Sequence, residues 1–323
     1  MAADGLIHRS AVALRALRAE MAVRETLPER RRRVLDGTVH ALKPDSMDAD
    51  YAARTLIDYD SATPHVVIAV GELHAPTQVT WQIAGMAMGP AQAAWGAARE
   101  AAQLHREQRH LGAVRPLVLS WQGYHPPSPL GVLSSRIAAR AGERLAEHVW
   151  TTLLLWQCTG AGRGAGTALD PWRSLEAHSY GVPVAVRALG LLALWSRTRL
   201  ERTVPSAGRI DALVLSGSVG APHHWWGTVS ALAERSERGL HRGPRVTEIR
   251  ARRDLLAPLG RVLSGRRRVP VDTAQGGQIV QAGSPASPES GLIPAVGHDT
   301  HGGRGYRDPG TVSLRAIAGA TQN

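Results

Sequence analysis

The chain has no phenylalanine and one cysteine, Cys158, and Lys43 is its only lysine. A single cysteine excludes an intramolecular disulfide, and the sequence carries no sign of an oxidising compartment. Cys158 ends the apolar stretch from Val149 to Gln157, where an inert, buried thiol is expected. No basic-then-apolar-then-small order of a secretory signal opens the sequence, and no apolar run is long enough to span a bilayer. The expectation is a cytoplasmic protein without a transmembrane segment. The near-absence of lysine makes the net charge of +11 almost wholly arginine. Its densest runs, Arg30 to Arg33 and Arg266 to Arg268, lie far apart and lack interleaved aromatics. That spacing argues against a nucleic-acid partner and for solvated faces, while an acidic partner or membrane surface stays compatible with the charge.

What is present is enough for a sizeable core. The 323 residues are 43% hydrophobic, mostly Ala, Leu and Val, with 9 tryptophans carrying the aromatic bulk. From Gly5 to about Lys43 apolar residues recur at helical spacing, which predicts an N-terminal helical arm over residues 1–50. Beyond it, strand-like runs alternate with helical ones. Thr55 to Tyr59 alternates, Val66 to Val70 reads as a buried parallel strand, and further strands fall at Arg115–Ser120, Leu175–Ala177, Ile210–Ser216 and Arg245–Ala251. Helices are expected over Ala91–Gln108, Leu133–Gln157 and Val182–Leu200. This order predicts an α/β domain over 51–323, with a mostly parallel sheet wrapped on both faces and ligands at the carboxyl ends of its strands. Residues 222–243 are expected to form a small lid, and Pro270 to Val296 a long loop. Gly160 to Gly166 is glycine-rich but follows a helix, so it reads as a connector and not as a phosphate cradle.

The most informative segment is Ala177-His-Ser-Tyr-Gly181, which stands between a short strand and an alanine-rich helix. It is a nucleophile elbow in which Ala177 takes the place of the usual first glycine. A serine hydroxyl becomes nucleophilic when a base removes its proton and an acid orients that base. In α/β-hydrolases these follow the serine in the order acid, then histidine. Asp254 comes just after a strand, while Asp211 opens a strand at the wrong end of the sheet and Asp299 is too near the histidines. His298 and His301 are the candidate bases. The oxyanion donors fall to the backbone N–H of Tyr180 and to the loop after the first core strand, Glu72 or Leu73. His178 is expected to brace the elbow. No cofactor or metal is expected: His298, His301, His74 and the His223–His224 pair form a generic pattern without a helical or cysteine framework.

The chain resembles the actinobacterial family of α/β-hydrolase-fold proteins called DUF1023. Ala177-His-Ser-Tyr-Gly181 is similar to its Gly-His-Ser-Tyr-Gly elbow, and Trp121-Gln-Gly-Tyr-His-Pro-Pro127 to a Trp-x-Gly-Tyr-x-x-Pro segment. Leu215-Ser-Gly-Ser-Val-Gly220 resembles a Gly-Ser-Pro-Gly turn. His301 followed by Gly305-Tyr-Arg-Asp-Pro-Gly-Thr-Val-Ser-Leu-Arg315 is similar to a His-Ser-x-Tyr and Asp-Pro-Gly-Ser-x-Ser-Leu-Arg ending with a short insertion. The resemblance implies a hydrolase with Ser179 as nucleophile, Asp254 as acid and His301 as base, and the residues together read as a serine hydrolase acting on a small-molecule ester, less readily an amide. A non-catalytic, hydrolase-like binding protein is the alternative that the departures at Ala177 and Glu72 favour.

Overall fold

The computed structural model describes residues 2–43, 52–86, 89–125, 127–128, 131–160, 170–198, 208–227, 243–284 and 291–323. Eight strands form one sheet: β1 (Arg54–Asp60), β2 (His65–Gly71), β3 (Gln78–Ile83), β4 (Pro116–Gln122), β5 (Trp172–His178), β6 (Ala212–Ser216), β7 (Arg245–Arg250) and β8 (Gln278–Gln281). Their spatial order is β1-β2-β4-β3-β5-β6-β7-β8. From β4 through β8 every pairing is parallel, whereas β2 runs antiparallel to both β1 and β4. The sheet is therefore the mixed, mostly parallel one of the α/β-hydrolase fold.

The helices are α1 (Ala2–Ala22), α2 (Glu29–Ala41), α3 (Pro90–His110), α4 (Arg136–Gly160), α5 (Gly181–Thr198), α6 (Leu256–Ser264) and α7 (Val312–Ala320). On one face Trp81, Ile83, Leu119 and Leu175 meet Leu145, Val149, Val186 and Leu189 of α4 and α5. On the other, Val118, Val214 and Ile249 meet Ala101 and Leu104 of α3 and Leu314 and Ile317 of α7. Strands covered on both faces need apolar side chains in both directions, which is why β2 and β4 read as continuous apolar runs. The arm expected over 1–50 is helical where described. Val34 and Leu35 of α2 are buried with Leu56, Ile68 and Ala98, and Leu6 of α1 lies in the core beside α4.

Three differences from the sequence reading bear on the site. First, β2 is antiparallel and not parallel; burial on both faces gives the same apolar run in either direction, so composition carries no direction. Second, Gln78-Val-Thr-Trp-Gln-Ile83 is a fully buried strand beside the elbow strand, in addition to the strands expected from sequence. Its signal was present in the β-branched and aromatic residues bounded by Pro76 and Gly85. Third, the stretch expected to be a long loop contains β8, and Ala295 bonds back to Ala282. Of the lid expected at 222–243, residues 222–227, where Trp225 is buried in the core, and 243 are described; 228–242, and the Cys158 side chain, lie outside the described residues.

Candidate active site

Ser179 stands at the turn between β5 and α5, with φ of 52°, a left-handed conformation that a non-glycine residue adopts only when its surroundings hold it there. The Ser179 N–H donates to the Ser216 carbonyl of the neighbouring strand at 3.0 Å, and the Val182 N–H to the Ser179 carbonyl at 3.1 Å. Gly181 lets helix and strand pass closely, because a Cβ there would lie 3.0 Å from the Ile83 and Ala84 carbonyl oxygens and would force them to shift. Ala177 is fully buried between Ile83 and Leu215, so its extra methyl is accommodated and the elbow forms.

Two loops bring partners to the serine. The loop after β7 carries Asp254, and the later loop carries His298. They are stitched by main-chain bonds, Arg252 N–H to Ala295 O at 3.1 Å and Gly297 N–H to Arg252 O at 2.8 Å, around a parallel bridge between Arg252 and Val296. Asp254 and His298 each lie two residues beyond that bridge, and the imidazole Nδ1 reaches Asp254 Oδ1 at 2.9 Å. With Nδ1–H donating to the carboxylate, Nε2 is left to accept from the Ser179 hydroxyl, 2.7 Å away. Asp254 also accepts the Ala257 N–H at 3.0 Å and, on Oδ2, the Tyr306 hydroxyl at 2.8 Å. Burial opposes its charge, but the bonds from His298, Ala257 and Tyr306 outweigh burial and hold the carboxyl below the ordinary carboxylate range.

His301 is not part of this arrangement. The segment from Asp299 to Arg307 closes on itself through Tyr306 N–H to Asp299 O and Arg307 N–H to Thr300 O, both 2.9 Å, and so carries His301 to an exposed tip. There it lines a cavity of about 690 Å³ with Trp95, Arg99 and Asp308, away from the serine. Counting back from Tyr306 selected the wrong histidine because the insertion forms that tip; the loop's attachment to the Asp254 loop decides the matter.

Glu72 and Leu73 are misplaced for an oxyanion hole. Gly71 is registered with Leu117, and Gln78 with Pro116 and Trp172, so the residues after β2 leave the sheet at the amino ends of β3 to β5, whereas Ser179 follows the carboxyl end. The antiparallel course of β2 is the reason. What adjoins the serine is the loop leaving β3: a Cβ on Gly85 would lie 3.2 Å from both the Ser179 Cβ and the His178 carbonyl oxygen. Tyr180 does follow the serine; its side chain is buried, its hydroxyl donates to Ser134 O at 2.9 Å, and the Arg266 guanidinium lies over its ring at 5.0 Å. Arg266 therefore departs from the solvated face expected of its run.

Behind the elbow is a buried charge network. Arg307 donates through Nη1 to Glu100 at 2.6 Å and through Nη2 to Glu176 of β5 at 2.6 Å and to the Ile83 carbonyl at 3.2 Å. Ser216 Oγ joins Glu176 to His178 Nδ1, at 3.4 and 3.1 Å. Burial, then the charges of His298 and Arg307, push the His178 imidazole well below its usual value, so it stays neutral as a brace packed 5.1 Å from the His298 ring. Asp211, the rejected acid, accepts the Arg173 N–H at 2.9 Å.

For a metal, the described residues bring three potential ligands together in one place, Asp58, His65 and His148. Arg9 donates to Asp58 Oδ1 at 2.5 Å, so a guanidinium already neutralises that carboxylate. His74, His223 and His224 take no part in such a group.

The sequence matches no family model and no curated protein. Among solved structures it is similar to a lipase/esterase from Lactobacillus plantarum, at 13% identity over 71% of this chain and 87% of that one, with a TM-score of 0.35. An arylesterase matches at 10% identity over 95% and 94% of the chains, with a TM-score of 0.39. A Pyrobaculum calidifontis esterase matches at 14% identity over 98% and 97%, also at 0.39. Likenesses this distant carry no argument about the site, whose reading rests on its own geometry.

Proposed function

We propose that the protein is a serine hydrolase that cleaves a carboxylic ester, less readily an amide, through an acyl-enzyme. The observation that carries this reading is the continuous chain from the Ser179 hydroxyl to His298 and on to Asp254, at 2.7 and 2.9 Å, on a serine held at positive φ. His298 takes the serine proton as Oγ attacks the carbonyl carbon, and returns it to the leaving alcohol as the tetrahedral intermediate collapses. A water activated by the same imidazole then releases the acid and restores Ser179. Asp254 keeps the proton on Nδ1 and stabilises the imidazolium; Tyr306 and Ala257 keep Asp254 ionised and aimed. The Tyr180 N–H and the backbone of Gly85–Met86 are the donors we assign to the oxyanion, since they flank the serine at the carboxyl end of the sheet.

Labelling with a fluorophosphonate tests the reading, because only an activated serine reacts readily. The expected result is one adduct, on Ser179, lost in Ser179→Ala and accompanied by hydrolysis of short p-nitrophenyl esters. A well-folded protein that neither labels nor hydrolyses would favour the alternative, a non-catalytic, hydrolase-like binding protein.

A further inference from the structure

The outward face of α6 is the least expected surface of the molecule. A helix on the outside of a domain normally turns its apolar stripe inward. Here only Ala257 is buried, while Leu256, Leu259, Val262 and Leu263 face solvent together with Leu255, which precedes the helix; Leu255 is 74% and Val262 78% exposed. These positions recur at three- and four-residue spacing, so they form one ridge. The inward side is filled otherwise: Gly260 lies against Val219, and the Arg261 guanidinium donates to the Ser218 carbonyl. A contiguous exposed apolar face of this kind marks a docking surface.

Charge at both ends of the ridge identifies the occupant. Arg252 and Arg253 precede it and Arg267 and Arg268 follow it, all four exposed, and no carboxylate pairs with their side chains among the described residues. An apolar stripe rimmed by arginines matches a surface that offers hydrocarbon beneath negative charge. It does not match a second copy of this basic chain, whose arginines would meet like charge. No helix among the described residues is long and apolar enough to cross a membrane, so insertion along the interface is the mode that fits.

We propose that α6 docks the protein onto anionic lipid bilayers, with Leu259 and Val262 entering the acyl boundary and Arg267 and Arg268 on the headgroups. The helix begins two residues after Asp254, and the Ala257 N–H at its first turn bonds that carboxylate. Docking therefore sets the Asp254 loop beside the lipid. Resting on the hydrolase reading, this assigns the substrate class as a water-insoluble ester presented at a lipid surface.

The test is co-sedimentation of the full chain with vesicles of phosphatidylcholine containing about one-third phosphatidylglycerol, against phosphatidylcholine alone, at low and high salt. The expected outcome is binding to the anionic vesicles that weakens with salt. Loss should be tenfold or more in Leu259→Gln/Val262→Gln, and about fivefold per residue in Arg267→Gln and Arg268→Gln. Unchanged thermal melting would show these variants to be folded. Absence of wild-type binding to anionic vesicles, equal binding by the α6 variants, or a dimer dispersed by Leu259→Gln/Val262→Gln would each overturn the proposal. Binding is read without reference to turnover, so a protein that docks but never labels with fluorophosphonate would sink the enzyme and the substrate class while leaving the docking surface.

Discussion

Among the described residues, two aspartate–histidine pairs share nearly the same geometry, and one of them is expected to do chemistry. In the first, His298 Nδ1 lies 2.9 Å from Asp254 and its Nε2 faces the Ser179 hydroxyl at the carboxyl end of the sheet. In the second, His148 Nδ1 lies 2.9 Å from Asp58, between α4 and the edge strand β1, and its Nε2 is buried against no polar partner. What separates them is the company of the outer nitrogen and of the carboxylate. Asp254 is held by two neutral donors, the Tyr306 hydroxyl and a backbone N–H, so it has charge to spare for an imidazolium. Asp58 is neutralised by Arg9, and the cluster instead ties α1 and α4 to the sheet. The lesson is that such a pair can serve catalysis only when a nucleophile at a strained turn completes it; elsewhere it is a fastener.

The sharpest way to break the comparison is at the serine. Ser179→Ala should lower kcat for a short p-nitrophenyl ester at least about a thousandfold without lowering Tm, since only the nucleophilic oxygen is removed. His298→Ala should match it, while His301→Ala leaves kcat/KM within about twofold, because His301 reaches neither Ser179 nor Asp254. The reverse order of those two variants would refute the geometry of the loop.

Asp254→Asn comes next, with a loss expected about tenfold to a hundredfold milder than that of Ser179→Ala, since the hydroxyl and imidazole remain while the proton on Nδ1 is no longer fixed. Its counterpart, Asp58→Ala, should leave kcat unchanged and cost about 2–3 kcal/mol in denaturant unfolding, because it strands Arg9 and a buried imidazole. Equal effects of the two substitutions on turnover would erase the distinction between the pairs.

The smallest effect is in pH. Burial first, opposed by Asp58, lowers the His148 imidazole from 6.5 to about 4. The folded state thus prefers it neutral, so its contribution to stability is present above about pH 6.5 and is lost as pH falls toward 4. Arg9, Asp58 and His65 are the charged and titratable groups around it; burial opposes the charge of Asp58, but the bonds from both histidines and the charge of Arg9 outweigh it and leave Asp58 ionised throughout this window. Melting curves of wild type and His148→Asn between pH 7 and 4 should diverge, the variant losing less stability on acidification.

Local chemistry made much of this legible. Apolar runs spaced by helical patterns specify alternating strands and helices, and Ala177-His-Ser-Tyr-Gly181 specifies a strand–turn–helix with a serine at its apex, because these properties belong to contiguous residues. Asp254 was reachable too, since an acid just past a strand lies at the ligand-binding edge whatever the rest does. The direction of β2 was not, because a strand buried on both faces is apolar in either direction; with it went the placement of Glu72 and Leu73. Nor was the choice of His298 over His301, which depends on hydrogen bonds between Arg252, Ala295 and Gly297, more than forty positions apart in sequence. The fold class and the elbow that carries Ser179 were set by short-range sequence. Which histidine meets which carboxylate, and which loop adjoins the serine, were decided by contacts that only the assembled sheet brings within reach.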